Sequence, residues 1–296
     1  MIKMSQTERK VKWLTAVILG GFALLCIIPI IAVISISLSD QKNIVAEGYR
    51  LIVTKLDFSA YEYIFKAPGQ LFNAYKVTTI VTVVGTLFSL TVVSLIAYPL
   101  SRSDFKWRKP ISFIVFFTLL FNAGMVPLYI VVTKVYHLKD TYFALILPYA
   151  ANAWHILLLR TFFSKIPFSL IEAAKLDGAG EFQIFFRIIL PLSKPAMATI
   201  GLFIMLMYWN DWWLSLLFVE SQEMVPLQYM MYRIMSEVQY ITQQMQSSSV
   251  VIDRSSLPTE SLRMAMCVFA AGPMLFVFPF FQKYFVKGIT VGSVKG

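Results

Sequence analysis

The sequence has few of the residues from which soluble enzymes build their sites. Only 14% of its 296 residues are charged, and it holds two histidines, His137 and His155, and two cysteines, Cys26 and Cys267. No G-x-x-x-x-G-K-[ST] loop is present to hold a nucleotide phosphate, and neither H-E-x-x-H nor G-x-S-x-G occurs. Both cysteines lie in apolar runs, so we expect buried thiols and neither a disulfide nor a metal site. These absences argue against an enzyme, including one that works inside a membrane.

Apolar residues are abundant. They make up 58% of the chain, and the mean hydropathy is +0.69, whereas soluble domains hold roughly 45–50% apolar residues. A bilayer core needs about 20 apolar residues in a helix. Six stretches meet this requirement, at about 13–37, 77–100, 110–132, 142–162, 196–219 and 262–282. The composition therefore predicts an all-α polytopic membrane protein with six transmembrane helices.

The distribution of positive charge predicts the orientation of these helices. Sixteen of the 26 lysines and arginines lie in the N-terminal segment, the second and fourth loops and the tail. Because cytoplasmic loops carry the excess of Lys and Arg, both termini are expected in the cytoplasm. The first apolar stretch is too long for a secretory signal, and no cleavage site follows it, so we interpret it as a retained anchor.

Two segments on the opposite side are long enough to carry a function, at about 38–75 and 220–261. The second is polar and acidic, with Glu220, Glu223, Glu237, Asp253 and Glu260. A solvated surface loop and a docking loop for an external partner are equally compatible with this composition.

The most informative cytoplasmic segment runs from Pro167 to Pro195. Ser169 and Glu172 have the spacing of a capping box, which predicts a short helix that starts near Leu170. Asp177-Gly178 should end that helix. A second helix should begin near Ala179 and carry an apolar stripe packed on the spans, until Leu190-Pro191 breaks it. The stripe consists of Phe182, Phe185, Phe186 and Ile189. From the pattern alone, this helix-turn-helix is either a docking element or an amphipathic linker.

Sequence motifs in and beyond this segment resemble those of permease subunits of binding-protein-dependent ABC importers. The run EAAKLDGAG followed by IILP is similar to the E-A-A…G…I-x-L-P signature, in the variant of the carbohydrate-uptake branch. The stretch Ala97–Arg102 resembles the A-Y-A-L-S-R end of the second span, with Pro99 in place of an alanine. Trp209-Asn210-Asp211 resembles the family's W-N-D/E-F segment in the fifth span. The tail KGITVGSVKG resembles that of the second permease subunit of maltose-type and lipo-oligosaccharide-type importers.

This resemblance implies a type I ABC importer fold in the bacterial plasma (inner) membrane. The expected parts are an N-terminal segment with the first helix and outer loop (1–71), a five-helix core (72–282) with a coupling loop at about 167–195, and a tail (283–296). The implied partners are a second permease, two cytoplasmic ATPase subunits, an external solute-binding protein, membrane lipid and a saccharide, with no nucleic acid. A heterodimer of permeases is favoured, and a homodimer is the alternative. The chain itself would hold no cofactor or metal, since ATP and Mg belong to the ATPase subunits.

The resemblance also implies which residues contact the ATPase subunits. In the coupling loop these are Glu172, Ala173, Ala174, Asp177, Gly178 and Ala179, and in the tail they are Gly292, Ser293, Val294, Lys295 and Gly296. Glu172 has a second interpretation, because a capping role alone would account for it.

Polar and aromatic residues at membrane depth are candidates for the substrate pathway, because amides can bind sugar hydroxyls and indole faces suit pyranose C–H groups. They are Asn122, Asn152, Trp154, Trp209, Asn210 and Asp211. Hydrogen bonds between helices and an outer aromatic belt are the alternatives. The cargo could also be another polar solute, such as glycerol phosphate or a peptide. An ion-coupled secondary transporter is the less favoured mechanism, since only Asp211 lies inside an expected span.

Overall fold

The computed structural model describes residues 6–53, 55–66, 68–247 and 259–292. Within these ranges the chain is helical, and the only extended pairing is an isolated bridge between Ser39 and Leu56. The helices are α1 (Gln6–Ser37), α2 (Gln41–Glu47), α3 (Ser59–Ile64), α4 (Pro68–Ser101), α5 (Arg108–Leu120), α6 (Met125–Ile130), α7 (Tyr142–Ile146), α8 (Ala153–Phe163), α9 (Phe168–Leu176), α10 (Glu181–Ile184), α11 (Leu190–Leu192), α12 (Lys194–Trp209), α13 (Trp213–Phe218), α14 (Leu227–Ser247) and α15 (Thr259–Gly292). The predicted all-α class is confirmed.

Three helices in the described ranges are long and apolar enough to cross a membrane unaided. They lie at Arg9–Ser37, Pro68–Ser101 and Glu260–Gln282. Three further pairs pass the same test only together, because each is bent by between 51° and 111° at a short break. These pairs are α5 with α6 and its π-helical continuation to Val135, α7 with α8, and α10–α11 with α12. The expected third and fourth spans therefore correspond to bent pairs, and the expected fifth span, 196–219, is interrupted between α12 and α13.

Two of the three breaks lie where a side chain satisfies freed backbone groups. Asn122 Oδ1 accepts from the Gly124 N–H at 2.8 Å, where Gly124 has a φ of +88°. Asn152 Oδ1 accepts from the N–H groups of Trp154 and His155 at 3.0 and 3.3 Å and so caps α8. Lipid supplies no hydrogen-bond partner, so a break at membrane depth needs such internal partners.

The chain divides into two compact units. The first comprises Met1–Pro68 and Arg233–Gly272, and the second comprises Gly69–Tyr232 and Pro273–Gly296. In the first unit, Gln41 Oε1 accepts from the backbone N–H groups of Glu260 and Ser261 at 3.1 and 3.4 Å. The rings of Tyr61 and Phe65 lie 5.9 and 5.5 Å from that of Phe269. These contacts attach α2 and α3 to the beginning of α15.

Helix α1 exposes its apolar side chains, and none of the residues in its most apolar window is buried by the chain. Cys26 on α1 and Cys267 on α15 are both exposed. The expectation of buried thiols was therefore wrong, because an apolar run that faces lipid or another subunit need not be buried within its own chain.

The segment that follows α13 is helical from Leu227 to Ser247, which composition alone did not indicate. The 21-residue helix α14 buries Leu227 and Met231 in the second unit. Thr78 Oγ1 on α4 accepts from the Leu227 N–H at 2.7 Å and so caps the start of α14. This segment is therefore not a simple solvated loop between Leu227 and Ser247.

The core of the second unit depends on a close approach of α4 to α12. A Cβ added at Gly85 would lie 2.9 Å from the ring of Tyr208. The Tyr208 hydroxyl bonds Ser89 Oγ at 2.7 Å and donates to the Ile146 carbonyl at 2.8 Å. Small residues permit such close packing of membrane helices, and here one glycine lets a single tyrosine join α4, α7 and α12.

The glycine at this contact can be tested against a matched helical glycine. Gly85→Ala should lower the free energy of unfolding by about 1–3 kcal/mol, because the added methyl group overpacks against the Tyr208 ring. Gly201→Ala is the control, since its Cβ would meet only Leu90 at 3.5 Å, an ordinary contact. Titration of each purified variant with a denaturing detergent measures the difference. Equal stability of the two variants would contradict the close approach.

Candidate functional site

Helix α9 begins earlier than its sequence pattern indicated. Pro167 occupies the N-cap position with a φ of −56° and a ψ of 128°, and no side chain forms a cap hydrogen bond. Ser169 is the second residue of the helix, so the predicted capping box of Ser169 and Glu172 is wrong. Proline suits the start of a helix because its φ is already fixed and the N–H that it lacks would have no intrahelical acceptor there. Glu172 is exposed, and the start of α9 forms without a side-chain cap hydrogen bond.

The end of α9 is the predicted glycine turn. Gly178 has a φ of +80°, and its N–H donates to the Lys175 carbonyl at 3.0 Å. The Ala179 N–H donates to the Ala174 carbonyl at 2.9 Å. These two bonds form a Schellman motif, which requires the left-handed conformation that glycine adopts at little cost. The chain therefore turns sharply between α9 and α10.

The two faces of α9 differ in what they contact. Ile171 and Ala174 are buried in the second unit's core, whereas Glu172, Ala173 and Asp177 are exposed. Leu176, in the last turn, is 89% exposed. A large apolar side chain at the end of an exposed helix favours contact with another protein, although a single exposed leucine is common on protein surfaces. Sequence reasoning missed Leu176, because it lies between the motif residues and its exposure depends on where α9 begins.

The element after the turn departs from the predicted regular helix. It passes from α10 into a π-helical segment, Phe185–Ile189, in which the Leu190 N–H donates to the Phe185 carbonyl. Pro191 does not break it, and the helix continues to Leu192 before the chain bends by 83° into α12. The wider π turn rotates the later side chains away from α-helical positions.

The predicted aromatic stripe is therefore divided between two environments. Phe185 and Ile189 are buried, but Phe182 and Phe186 are 75% and 56% exposed. The expectation that all four residues pack on the spans was wrong. Ile184, which is fully buried, takes part in the packing instead.

A cluster of charged side chains joins this loop to the end of α4. The Arg102 side chain is only 5% exposed. Its Nε donates to Asp104 Oδ1 at 2.8 Å, and its Nη1 donates to Glu181 Oε2 at 3.0 Å and to the Tyr98 hydroxyl at 2.7 Å. Lys175 Nζ lies 3.2 Å from Asp104 Oδ2 and 3.0 Å from Glu181 Oε1. The cluster contains two positive and two negative charges, so the buried guanidinium is compensated.

These contacts shift the ionisation of the residues that lie outside the spans. The hydrogen bond from Arg102 holds the pKa of the Asp104 carboxyl below its ordinary value, against the opposing effect of partial burial. The hydrogen bonds with Glu181 and Asp104 raise the pKa of the Lys175 amine. Both shifts favour the charged forms, so the cluster is fully ionised near neutral pH. It holds α4, the end of α9 and the start of α10 in one arrangement.

A pocket of about 460 Å³ lies beside this cluster. Its walls come from the end of α4, the following loop and α10 with its π-helical continuation. They include Tyr98, Arg102, Phe105, Phe182 and Phe185. Four of the nine lining residues are aromatic, and three others, Arg102, Asp104 and Glu181, belong to the charged cluster.

The candidate pathway residues occupy helix ends rather than helix interiors. Asn122 and Asn152 stabilise the breaks described above. Asn210 follows the last residue of α12, and its Nδ2 donates to the Leu206 carbonyl at 2.8 Å. Trp209 is buried, and Trp154 is partly exposed beside Phe203, with ring centroids 5.6 Å apart. The sequence Asn122-Ala123-Gly124 and the dipeptide Asn210-Asp211 are combinations that favour turns, so they could have indicated where these helices end.

Asp211 is engaged by its own chain. Its Oδ1 accepts from the Tyr149 hydroxyl at 2.8 Å, and its Oδ2 accepts from the Leu214 N–H at 3.2 Å at the start of α13. The Tyr149 and Tyr208 rings are 6.0 Å apart. Asp211 therefore belongs to the network around Tyr208. Among the described residues, the recorded hydrogen bonds of Asn122 and Asn152 do not connect them to Asp211.

The remaining predicted residues lie at the end of the chain. Gly292 is the last residue of α15, and Ser293, Val294, Lys295 and Gly296 lie outside the described residues. Residues 248–258 of the outer segment also lie outside them.

Comparison with known proteins identifies both a family and a fold. Residues 90–291 match the profile of the family described as "Binding-protein-dependent transport system inner membrane component". The chain is 42% identical over 276 residues to a polygalacturonan/rhamnogalacturonan transport system permease protein, YtcP, of Bacillus subtilis, and the match covers 93% of this chain and 94% of the relative. It is 36% identical to the protein LplC of the same organism, over 94% of this chain and 92% of the relative.

A solved structure has the same fold. It is a chain of a bacterial ABC transporter involved in the import of the acidic polysaccharide alginate. The TM-score is 0.74, the sequence identity is 31%, and the match covers 96% of this chain and 100% of the other.

The ion cluster can be tested by removing its central charge. Arg102→Ala leaves Asp104 and Glu181 without the buried guanidinium between them. Because both carboxylates are partly exposed, we expect a loss of roughly 1–3 kcal/mol in the free energy of unfolding, below the about 3–5 kcal/mol of a fully buried pair. Arg102→Lys should be intermediate, since an amine cannot bond both carboxylates in the same fork geometry.

The control for this experiment is Lys106→Ala, which removes an exposed positive charge from the same loop. Detergent-denaturation curves of the three variants and the unmodified chain give the ranking. A loss in Arg102→Ala no larger than that in Lys106→Ala would show that the cluster does not stabilise the structure.

Proposed function

The chain belongs to the family of binding-protein-dependent transport system inner membrane components, and we propose that it is one of two permease subunits of an ABC importer for an oligosaccharide. It forms half of the translocation pathway. ATP hydrolysis takes place on separate ATPase subunits, and the permease alternates between inward-open and outward-open arrangements. The family has no catalytic role, in agreement with the lack of enzyme motifs in this sequence.

The observation that carries this proposal is the exposed end of α9. Glu172, Ala173, Leu176 and Asp177 project from a helix whose other face is buried, next to the Gly178 turn. The Arg102 cluster attaches this helix to the end of α4. A protein bound to the exposed face could therefore move a span directly. This arrangement supports α9 as the coupling helix and favours a contact role for Glu172 over a capping role.

The topology that we propose has six spans. The third and fourth are broken at the turns that contain Asn122 and Asn152, and the chain bends by 83° at the start of the fifth. Both termini are cytoplasmic. The contact between Arg102 and the α9–α10 turn requires the end of α4 and the loop before α12 to share one side of the membrane. The excess of Lys and Arg assigns that side to the cytoplasm.

The names of the similar proteins support an oligosaccharide substrate. The two with named polysaccharides, the polygalacturonan/rhamnogalacturonan permease and the alginate importer, both concern acidic chains. We therefore propose an oligosaccharide that contains uronic acids. Among the candidate pathway residues, Asn210 and Trp154 are exposed, whereas Asp211 and Trp209 are better suited to holding the structure.

The proposed complex contains a second permease, two ATPase subunits that hold ATP and Mg, and an external solute-binding protein. Residues Gly292–Gly296 are proposed to reach the ATPase subunits, and the segment at about 220–261 is proposed to contact the binding protein. Both assignments rest on the similarity to maltose-type permeases.

The coupling role of α9 is tested in the assembled transporter. Glu172→Ala and Leu176→Ala should each reduce vanadate-sensitive oligosaccharide uptake and the stimulation of ATPase activity by the loaded binding protein by about tenfold, the effect of losing a contact worth about 1.4 kcal/mol. The chain itself should stay folded, because both side chains are exposed. Uptake into proteoliposomes and ATPase assays on the same preparations provide the measurements.

Ser169→Ala is the matched control, because Ser169 lies on the same helix and does not cap it. It should retain uptake and stability. Loss of folded protein in both Ser169→Ala and Glu172→Ala would restore the capping interpretation and contradict the proposed contact.

A further inference from the structure

The segment between α12 and α13 faces the first turns of α14 through two side-chain contacts. Gln228 Nε2 donates to Asn210 Oδ1 at 3.4 Å. Tyr232, one helical turn further along α14, stacks on Trp212 with ring centroids 4.6 Å apart and an angle of 16° between the planes. Because positions i and i+4 share one face of a helix, the amide pair and the ring pair lie side by side on the second unit.

The rings form an extended, partly exposed surface. Tyr229 continues the stack, with its ring 6.5 Å from that of Tyr232 and inclined by 17°. Trp213 meets Trp212 edge to face at 5.8 Å and 87°. Trp212, Trp213 and Tyr232 are 37%, 40% and 41% exposed although they are in contact with one another. Large aromatic rings held rigidly in this way provide a flat apolar surface that loses little entropy on binding a ligand.

The amides beside the rings retain hydrogen-bonding capacity. Asn210 is exposed, and each of its amide atoms has one recorded hydrogen bond, which leaves a second donor hydrogen and a second acceptor lone pair. In the described part of the chain, Gln228 Oε1 has no recorded donor. The amides therefore offer donors and acceptors beside the rings, and none of these amide and ring side chains carries a formal charge.

This combination matches the chemistry of a sugar ring. A pyranose presents an apolar face of C–H groups, which packs on aromatic rings, and a rim of hydroxyls, which need both donors and acceptors. An aromatic belt at a membrane interface requires rings but no adjoining amides. The pairing of Asn210 with Gln228 next to the Trp212–Tyr232 stack therefore favours a saccharide over lipid.

We propose that Asn210, Trp212, Gln228 and Tyr232 form a saccharide-binding platform at which this chain contacts the transported oligosaccharide. This inference rests on the proposed function and adds a binding role for this subunit. Since the platform is uncharged, it binds ring faces and hydroxyls, and the carboxylates of an acidic substrate must be bound elsewhere.

The test uses the complete transporter in proteoliposomes with a saturating binding protein and radiolabelled trigalacturonate as the probe. Trp212→Ala and Tyr232→Ala should lower the uptake rate by about tenfold, the effect of losing one ring contact. Trp212→Phe and Tyr232→Phe keep a ring and should retain most of the uptake. Trp107→Ala, which removes an exposed tryptophan before α5, is the matched control and should have no effect.

Direct contact is measured by a labelling experiment on the same complex, with Cys26 and Cys267 replaced by alanine. A cysteine introduced by Trp213→Cys borders the platform, and trigalacturonate should slow its reaction with a maleimide. A cysteine introduced by Trp107→Cys should react at the same rate with or without the sugar. A merely structural role for the rings would lower uptake in the alanine variants without this protection.

The outcomes separate the two proposals. If the unmodified transporter takes up trigalacturonate but the alanine variants match Trp107→Ala, or the introduced cysteine is not protected, the platform is overturned while the importer function stands. If the unmodified transporter shows ATP-dependent uptake of neither trigalacturonate nor a neutral control, maltotriose, the proposed oligosaccharide import is overturned as well.

Discussion

The pairing of the buried Arg102 guanidinium is the interaction on which the arrangement of α4, α9 and α10 depends. A charge that is only 5% exposed must be compensated, and the carboxylates of Asp104 and Glu181 compensate it from two separate parts of the chain. The requirement to pair this charge draws the start of α10 to the end of α4. Lys175 then joins the same carboxylates from the last turn of α9. Electrostatic compensation thus fixes the position of the helix that we propose as the contact for the ATPase subunits.

A second constraint acts within the spans, where backbone groups have no water to bond. The helices nevertheless break, and two of the breaks have a side-chain partner, Asn122 for the Gly124 N–H and Asn152 for the start of α8. Asp211 likewise accepts from the Leu214 N–H at the start of α13, and its other carboxylate oxygen accepts from the Tyr149 hydroxyl. These polar residues therefore have a structural use, the stabilisation of helix ends, that is independent of any contact with substrate. That use explains why Asn210, which is exposed, is a better candidate for substrate contact than Asp211.

Sequence patterns predicted the features that depend on one residue type in one conformation. Hydropathy identified the apolar stretches, and Gly178 ended α9 where its freedom at positive φ was needed. The sequence patterns gave wrong predictions of local structure where tertiary contacts determine it. Ser169 has the spacing of a cap but lies inside a helix that starts at Phe168, after the N-cap Pro167. The π turn at Phe185–Ile189 separates residues that a regular helix would align. The Arg102 cluster joins residues up to 79 positions apart, which no local pattern reveals.

The central claim is that α9 and the end of α4 move as one rigid body when the transporter changes state. Spin labels at Ser103 and Leu170, both exposed, report the distance between these two parts in the assembled complex. The measurement is a pair of pulsed electron-spin distance distributions, one without nucleotide and one with the ATPase subunits trapped by vanadate. We predict the same single distance in both states. A distance that changes between them would show that the loop moves independently of α4 and would contradict the account.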